Sequence, residues 1–263
     1  MAITNQFTFD DLNLIPKSEL LAIIRKYRKD KFGKDEDSDD DKRRSMPYRE
    51  YFGDMYLEPE EKEKRIEMSK DLEYVFLFLF AYIATHDGLG DMTYSEVYQE
   101  VDDACWDVVG KYVTPEEKEY IKRYTRQEME DHIRDYLSRQ TRYIIDNTMD
   151  SLDDDAYYIS EDRATLCSEN QVNGVANAEE LYEALDEGYT IKTWITMEDN
   201  KVRDTHQEVD GDTKPINEAF IVGDSELLYP GDDSLGASPE EICNCRCTVE
   251  YGYDDSDADP FNL

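Results

Sequence analysis

The segment VFLFLFAYIA, residues 75–84, is the longest strongly apolar run in the sequence. It is about half of the roughly 20 residues that a membrane-spanning helix needs, so the run predicts a buried helix or strand. Upstream, the triplet Pro59-Glu60-Glu61 puts a proline and two acids where a helix N-terminus favours them. The apolar pattern continues from there to about residue 85, and the whole segment therefore predicts one long, deeply buried helix.

The composition is strongly acidic. Lys and Arg number 29 against 64 Asp and Glu, which gives a formal net charge of −35 at pH 7. Such a charge repels nucleic acid and anionic membranes, so it argues against coating of either by the whole surface. Hydrophobic residues make up 39% of the chain and include 20 tyrosines, too many for a wholly disordered protein. The 263 residues predict a folded acidic protein of one or two domains.

The N-terminal residues and the cysteines indicate the cellular compartment in which the protein is expected. The first residues lack the basic and apolar regions of a secretory signal, so we expect the chain to stay in a cytoplasm. Five cysteines are an odd number, and three of them crowd together at Cys243, Cys245 and Cys247. This pattern does not resemble a secreted disulfide framework. Reduced thiols or metal ligands fit it better.

Residues 1–150 are predicted to form a mostly helical domain. Apolar spacing predicts one helix over residues 12–31 and another over 93–112, and the start signal TPEE at 114–117 predicts a further helix that ends near residue 149. Residues 34–44 (KDEDSDDDKRR) contain no apolar residue and change charge sign along their length. That composition predicts a solvated, charged loop.

Residues 151–252 are predicted to form a small mixed α+β domain, so that the fold class of the chain is α+β. The sequence SLDDD at 151–155 breaks the helical pattern, and the helix-rich stretch that follows ends at Gly188, a residue type that closes helices. An acidic tail is expected over 253–263. Alternating β-branched and aromatic residues predict strands over 190–196, 219–222 and 245–251.

One basic stretch, within residues 115–149, interleaves arginine with tyrosine. It is the place in this acidic chain where contact with DNA phosphates is to be expected. The alternative is that these side chains pair with neighbouring acids on a solvated face, which is the commoner fate of such charge runs. The candidate DNA contacts are Lys122, Arg123, Arg126 and Arg134.

Three polar residues in the C-terminal part have helical spacing. Asp199, Arg203 and His206 lie four and then three residues apart. If Asp199 caps a helix, all three project from neighbouring turns of one face. They are then able to form one polar cluster.

The cysteine-rich segment near the C-terminus has the spacing of a strand. Alternate residues of a regular strand share a face. Cys243, Cys245 and Cys247 are then expected on one face, with Asn244 and Arg246 on the other. The thiols and the guanidinium group would serve different neighbours.

Zinc is the candidate cofactor, because His206 with two or three thiolates has the chemistry of a tetrahedral zinc site. The alternative is that the cysteines are small buried apolar residues, and that His206 and Arg246 bond to carboxylates such as Asp199 and Asp210. The C-x-C spacing, in place of the usual C-x2-C, favours this second interpretation. The candidate ligands are His206, Cys243, Cys245 and Cys247.

Several rare sequence elements follow one another between residues 194 and 247. The pattern is W-x4-D-x2-VR-x2-H-x3-DG, then F, then PGD, then NCRC, formed by Trp194, Asp199, Val202, Arg203, His206, Asp210, Gly211, Phe220, Pro230, Gly231, Asp232, Asn244, Cys245, Arg246 and Cys247. This order resembles the C-terminal domain of phage minor head proteins, the family that includes the phage Mu F protein. The resemblance covers roughly a third of the chain.

The resemblance implies a structural virion protein and not an enzyme. Such a minor head protein is made in the host cytoplasm and packaged inside the procapsid near the portal, where it assists head assembly or DNA packaging and delivery. The implied partners are the portal protein and the major capsid or scaffolding protein. Packaged DNA would be reached through a local basic patch, and no membrane is involved.

Two roles remain open for the polar residues. In a structural protein, the cluster of Asp199, Arg203, Asp210, Asn244 and Arg246 would stabilise the fold. The alternative is a metal- or thiol-dependent hydrolase, or a toxin-like enzyme, that uses Asp199, Arg203, His206 and Cys245. No P-loop, G-x-S-x-G or H-E-x-x-H motif supports the enzyme.

Overall fold

The computed structural model describes residues 7–34, 46–53, 55–113 and 123–254. The loop predicted at 34–44 and the tail predicted at 253–263 lie almost wholly outside these residues, as does the helix start predicted at 114–117. The fold is α+β, as the sequence predicts. The helices are α1 (Lys17–Phe32), α2 (Tyr48–Tyr51), α3 (Pro59–His86), α4 (Tyr94–Val113), α5 (Arg123–Asp150), α6 (Glu161–Glu187), α7 (Asp204–Glu208) and α8 (Pro239–Ile242).

Helix α3 is the long buried helix that the apolar run predicts. Pro59 stands in its first turn, and the helix ends at Asp87, which takes a left-handed conformation with φ of 50°. All residues from 75 to 83 are buried. Helices α1, α4 and α6 pack against α3, which explains why its apolar residues extend around the helix instead of forming one stripe.

Helix α6 packs against both α3 and α5 and begins at a capped end. The Ser160 side chain accepts a hydrogen bond from the Arg163 amide, and the helix ends at Gly188 with φ of 83°. In its middle, α6 passes very close to α5: a Cβ atom at Gly174 would lie 2.3 Å from the hydroxyl oxygen of Tyr136. Only glycine therefore lets the tyrosine approach the helix backbone this closely.

Two small antiparallel sheets follow α6. In the first, β1 is the central strand between β2 and β5, and Trp194 of β1 pairs with Val249 of β5. The second is the hairpin of β3 and β4. The strands predicted at 190–196 and 219–222 are confirmed as β1 and β3, whereas pairing in the region predicted at 245–251 begins only at Thr248. The strands are β1 (Ile191–Ile195), β2 (Thr213–Pro215), β3 (Phe220–Val222), β4 (Ser225–Leu227) and β5 (Thr248–Gly252).

One cluster of buried apolar side chains connects the N-terminal helices to the sheets. It extends from Phe7 to Val249 and includes residues of α3, α5, α6 and β1. The division into domains at residue 150 stays a prediction. No helix among the described residues is long and apolar enough to cross a membrane.

Candidate metal centre and polar cluster

His206, Cys245 and Cys247 meet in the interior beside β1. The Nδ1 atom of His206 lies 3.4 Å from the Cys247 sulfur and 3.6 Å from the Cys245 sulfur. The short helix α7 supplies the histidine, and the segment just before β5 supplies both thiols. The three side chains are exposed by 1%, 2% and 2%. This convergence is the one that the sequence predicts for His206 and two of the three thiols.

The other nitrogen of the His206 ring faces a carboxylate. Nε2 lies 3.1 Å from an Oε2 atom of Glu241, which also accepts a hydrogen bond from the Thr205 hydroxyl at 2.8 Å. Glu241 belongs to α8, 35 residues away along the chain. The two ring nitrogens therefore have different partners, with sulfur at Nδ1 and carboxylate at Nε2.

Cys243 is not part of this cluster. The prediction that Cys243, Cys245 and Cys247 share one face of a strand is therefore wrong. Cys243 follows the end of α8, and Asn244 takes a left-handed conformation with φ of 56°. Alternation of side chains holds only in extended backbone, so the turn at Asn244 removes Cys243 from the face shared by Cys245 and Cys247. The Cys243 carbonyl instead accepts a hydrogen bond from the Arg203 guanidinium.

Asp199 does not cap the helix that carries His206, because α7 begins only at Asp204. It lies in the preceding turn, where one carboxylate oxygen accepts a hydrogen bond from the Lys201 amide at 2.9 Å. Both oxygens accept hydrogen bonds from the Arg246 guanidinium, at 2.8 and 2.7 Å. The expected shared helical face of Asp199, Arg203 and His206 is therefore wrong, although the expected pairing of Asp199 with Arg246 is correct.

Asp210 and Asn244 each connect two segments through one hydrogen bond between a backbone N–H group and a side-chain oxygen. Asp210 accepts a hydrogen bond from the Thr196 amide at 2.7 Å and so joins the end of β1 to the turn after α7. It pairs with neither His206 nor Arg246 in the described contacts, contrary to the packing interpretation. The backbone N–H of Asn244 donates to the side-chain Oδ1 atom of Asn170 at 2.7 Å, which holds the left-handed turn against α6.

The interior of the cluster favours a deprotonated Cys245. Its pKa is held well below the ordinary thiol value by hydrogen bonding from Cys247 and by the nearby His206, despite burial. Cys245 in turn raises the pKa of Cys247, and burial adds to that rise. Burial works to lower the pKa of His206, but the bond to Cys245 and its charge raise it above the ordinary value. A thiolate is the form of cysteine that binds metals.

The family of the chain follows from a comparison of its sequence with family models. The model for phage Mu protein F like proteins matches residues 115–250, just over half of the chain. The chain belongs to the phage Mu protein F like family. It is thus a phage head morphogenesis protein that acts with other proteins of the phage head. No curated protein and no solved structure matches it.

The Mu F-like region, residues 115–250, contains the whole polar cluster. For enzymatic work, Asp199, Arg203, His206 and Cys245 would have to meet at an accessible site. Arg203, His206 and Cys245 line one cavity, but the Arg203 guanidinium is bonded to the Cys243 carbonyl and Asp199 to Arg246. As far as the described residues line it, this cavity has room for about one water molecule. The cluster is therefore closed to a larger substrate.

The described members of the basic stretch have partners within the Mu F-like protein. Arg126 donates to a Glu130 carboxylate oxygen at 3.2 Å, and the Arg134 guanidinium lies 3.9 Å from the centre of the Trp106 ring. Arg126 thus pairs with a neighbouring acid, as the alternative to DNA contact predicts, whereas the partner of Arg134 is an aromatic ring of α4. Lys122 lies outside the described residues, and Arg123 begins α5 with a side chain that is not described.

Sequence analysis missed a fully buried arginine next to the cluster. Arg65 of α3 donates to the side-chain oxygens of Asn173 and Asn177 at 3.0 and 3.2 Å, and to Glu180 at 2.5 Å. Asn173 in turn donates to the Cys245 carbonyl at 3.0 Å. The burial of Arg65 could have been predicted from its position, because Arg65 lies on the same helical stripe as the buried Met68 and Leu72 of α3.

The Cys245 carbonyl has a second donor from the N-terminal part. The Tyr51 hydroxyl donates to it at 2.6 Å, and Tyr51 is fully buried. One carbonyl beside the sulfur atoms therefore binds both α2 and α6. The N-terminal helices reach the Mu F-like region through this direct contact.

Proposed function

We propose that this protein is a structural component of the phage head, packaged inside the procapsid near the portal, where it assists head assembly or DNA packaging and delivery. The match to the Mu F-like family over residues 115–250 carries the proposal. The chain is made in the host cytoplasm and enters the virion during assembly. The portal protein and the major capsid or scaffolding protein are its partners.

The negative net charge of the protein supports a partner protein with a basic surface. The net charge is −35, and several arginines of α5 are held by other residues of the chain. Besides Arg126 and Arg134, Arg139 donates to Asp233 at 2.6 Å. Such an acidic surface is attracted over long range to a basic patch on the portal or on another head protein.

Assembly of procapsids with and without the portal protein tests the location. Quantitative mass spectrometry of purified procapsids is expected to find this chain at a few copies per particle only when the portal is present. Equal amounts in particles that lack the portal would contradict a place near it. The major capsid protein in the same samples is the internal standard.

Salt dependence tests the proposed attraction between charges. Binding of the purified chain to the portal protein is expected to weaken steeply as the salt concentration rises above physiological values, because exposed charges are screened beyond about 8 Å at 0.15 M. Affinity that does not change with salt would contradict attraction between an acidic and a basic surface.

DNA contact through the basic stretch has its own test. Since Arg126 and Arg134 already have partners in the protein, we expect no binding to double-stranded DNA at physiological salt. Binding that is lost on Arg126→Ala or Arg134→Ala, but kept on Arg25→Ala of α1, would instead assign the stretch to DNA. The same electrophoretic assay at low and at physiological salt distinguishes the two outcomes.

A further inference from the structure

We propose that His206 Nδ1 and the sulfur atoms of Cys245 and Cys247 bind one zinc ion, with Glu241 as the residue that orients the histidine. The site goes beyond the proposed role in the head and does not depend on it. The three side chains are the described group whose nitrogen and sulfur atoms all lie within 4.8 Å of one another. Cys243, the remaining cysteine of the segment, is not a ligand.

The two nitrogen-to-sulfur distances of the group match those of a tetrahedral zinc site. Zinc binds histidine nitrogen at about 2.0–2.1 Å and thiolate sulfur at about 2.3 Å, so at tetrahedral angles the two ligand atoms are about 3.5 Å apart. The observed nitrogen-to-sulfur distances are 3.4 and 3.6 Å. The ligands would therefore need little rearrangement around the ion.

The residue between the two cysteines explains how C-x-C can supply two ligands here. The Arg246 guanidinium pairs with Asp199, while the sulfur atoms of Cys245 and Cys247 both face His206. Both sulfur atoms lie within 3.6 Å of the same ring nitrogen, so two cysteines separated by one residue reach the same ion without the turn that C-x2-C uses. Soft thiolates together with an imidazole select zinc over magnesium or calcium.

Two polar groups around the cluster suit a bound ion. Glu241 faces Nε2 of His206 at 3.1 Å, the arrangement in which a carboxylate fixes the ring and leaves Nδ1 for the metal. The Trp194 indole N–H is fully buried and has no hydrogen-bond partner among the described residues, and the Trp194 ring packs edge-on against the His206 ring. An N–H group in that position would stabilise a thiolate ligand.

A water molecule would fill the fourth position. The cavity beside the two sulfur atoms has room for about one water. Asn244 lines the same cavity, and its Oδ1 atom is buried without a hydrogen-bond partner in the described part of the chain. Water bound to the ion would have this oxygen as an acceptor.

Zinc in this position would join α7 to the segment before β5. Binding displaces the remaining thiol protons to solvent, and the binding free energy adds to the stability of the folded state. Because the cluster is closed to larger molecules, the ion would stabilise the fold of the Mu F-like region.

Metal analysis of the full-length protein, purified under reducing conditions without chelator, tests the site. We expect about one equivalent of zinc in the wild type and in Cys243→Ser, the matched control from the same segment. Cys245→Ser and Cys247→Ser are expected to retain less than about a tenth of an equivalent, and Glu241→Gln to bind zinc about 10- to 100-fold more weakly. Zinc below a tenth of an equivalent in the wild type, with no rise in melting temperature on addition of zinc, would overturn the proposal.

Cobalt substitution tests the ligands without a variant that could misfold. Wild-type protein produced with Co²⁺ in place of Zn²⁺ is expected to show the intense visible bands of a tetrahedral site together with sulfur-to-cobalt charge transfer. Absence of the charge-transfer band from cobalt-loaded protein would overturn thiolate ligation. Equal loss of zinc from Cys243→Ser and Cys245→Ser would overturn the assigned ligand set.

Discussion

Both carboxylate oxygens of Asp199 accept hydrogen bonds from the same guanidinium nitrogen of Arg246, at 2.8 and 2.7 Å. The pair connects the turn before α7 to the segment that carries Cys245 and Cys247. The Asp199 side chain is 36% exposed and that of Arg246 only 4%. Loss of the acid therefore leaves a buried cation without its carboxylate partner.

Replacement of Asp199 is expected to destabilise the protein. Asp199→Ala should lower the free energy of unfolding by about 1–3 kcal/mol, because a buried charged donor loses its acceptor. Urea denaturation measures the loss. Glu208→Ala, which removes an exposed acid from nearby α7, is the control and should change stability by less than about 0.5 kcal/mol. Equal effects of the two variants would contradict a specific role of the pair.

The same pair predicts a dependence of stability on pH in the acid range. Partial burial works to raise the pKa of Asp199, but the hydrogen bond and charge of Arg246 lower it below the ordinary value. Its contribution is therefore fully present above about pH 4 and is lost as the pH falls through the lowered pKa. The difference in unfolding free energy between wild type and Asp199→Asn should hold from about pH 6 to about pH 4 and then shrink towards about pH 3. A constant difference would contradict this assignment.

Glycine at position 174 is expected to be indispensable for packing. A Cβ atom there would meet the Tyr136 hydroxyl oxygen at 2.3 Å, so Gly174→Ala should cost about 1–3 kcal/mol of stability by overpacking. Gly110 of α4 is the matched control, because its added Cβ would be 3.7 Å from the Trp106 ring. Gly110→Ala should stabilise the helix by up to about 1 kcal/mol. Thermal unfolding of both variants checks the opposite signs.

Because of the buried Lys192, we expect its contribution to the stability of the folded protein to rise with pH in the alkaline range. Burial lowers its pKa to about 8, while its Nζ atom donates to the Leu228 carbonyl at 2.7 Å. Between about pH 8 and about pH 10.5 the unfolded chain holds a proton that the folded protein has lost, so this residue adds stability as the pH rises.

Comparison with Lys192→Met isolates that effect. The raised pKa values of the buried thiols of Cys105 and Cys167 act in the opposite direction, but they are common to both proteins. Chemical denaturation across the pH range should show wild type gaining stability relative to Lys192→Met. Lys111→Met, which removes an exposed lysine of α4, is the control for the loss of one positive charge. A pH-independent difference between wild type and Lys192→Met would contradict the lowered pKa.

Sequence patterns predicted well the features that depend on nearby residues. Pro59 and the apolar run located α3, because helix starts and burial follow from local composition. The meeting of His206 with Cys245 and Cys247 was also predictable, since these residue types suit one another chemically. Cys243 was misplaced because the left-handed conformation of Asn244 interrupts the alternation, and asparagine alone does not reveal that conformation.

Contacts between distant segments were harder to predict. Glu241 meets His206 from 35 residues away, and no spacing marks it among the many acids of the chain. The dipeptide Asn173-Gly174 is typical of a turn, yet α6 runs through it because Arg65 and Tyr136 pack there. Tertiary packing determines both features, and a pattern along one segment does not contain it.

The double hydrogen bond to the Cys245 carbonyl bears on how relatives of this protein could exchange parts. A chimaera that keeps residues from 151 onward but takes its N-terminal helices from another phage would inherit the Asn173 donor and lose Tyr51, unless the donor helix supplied a hydroxyl at the same point. Where the phenol is lost, such an exchange is expected to weaken the attachment of the N-terminal helices to the segment that carries Cys245, although Tyr51 lies outside residues 115–250, which match the family.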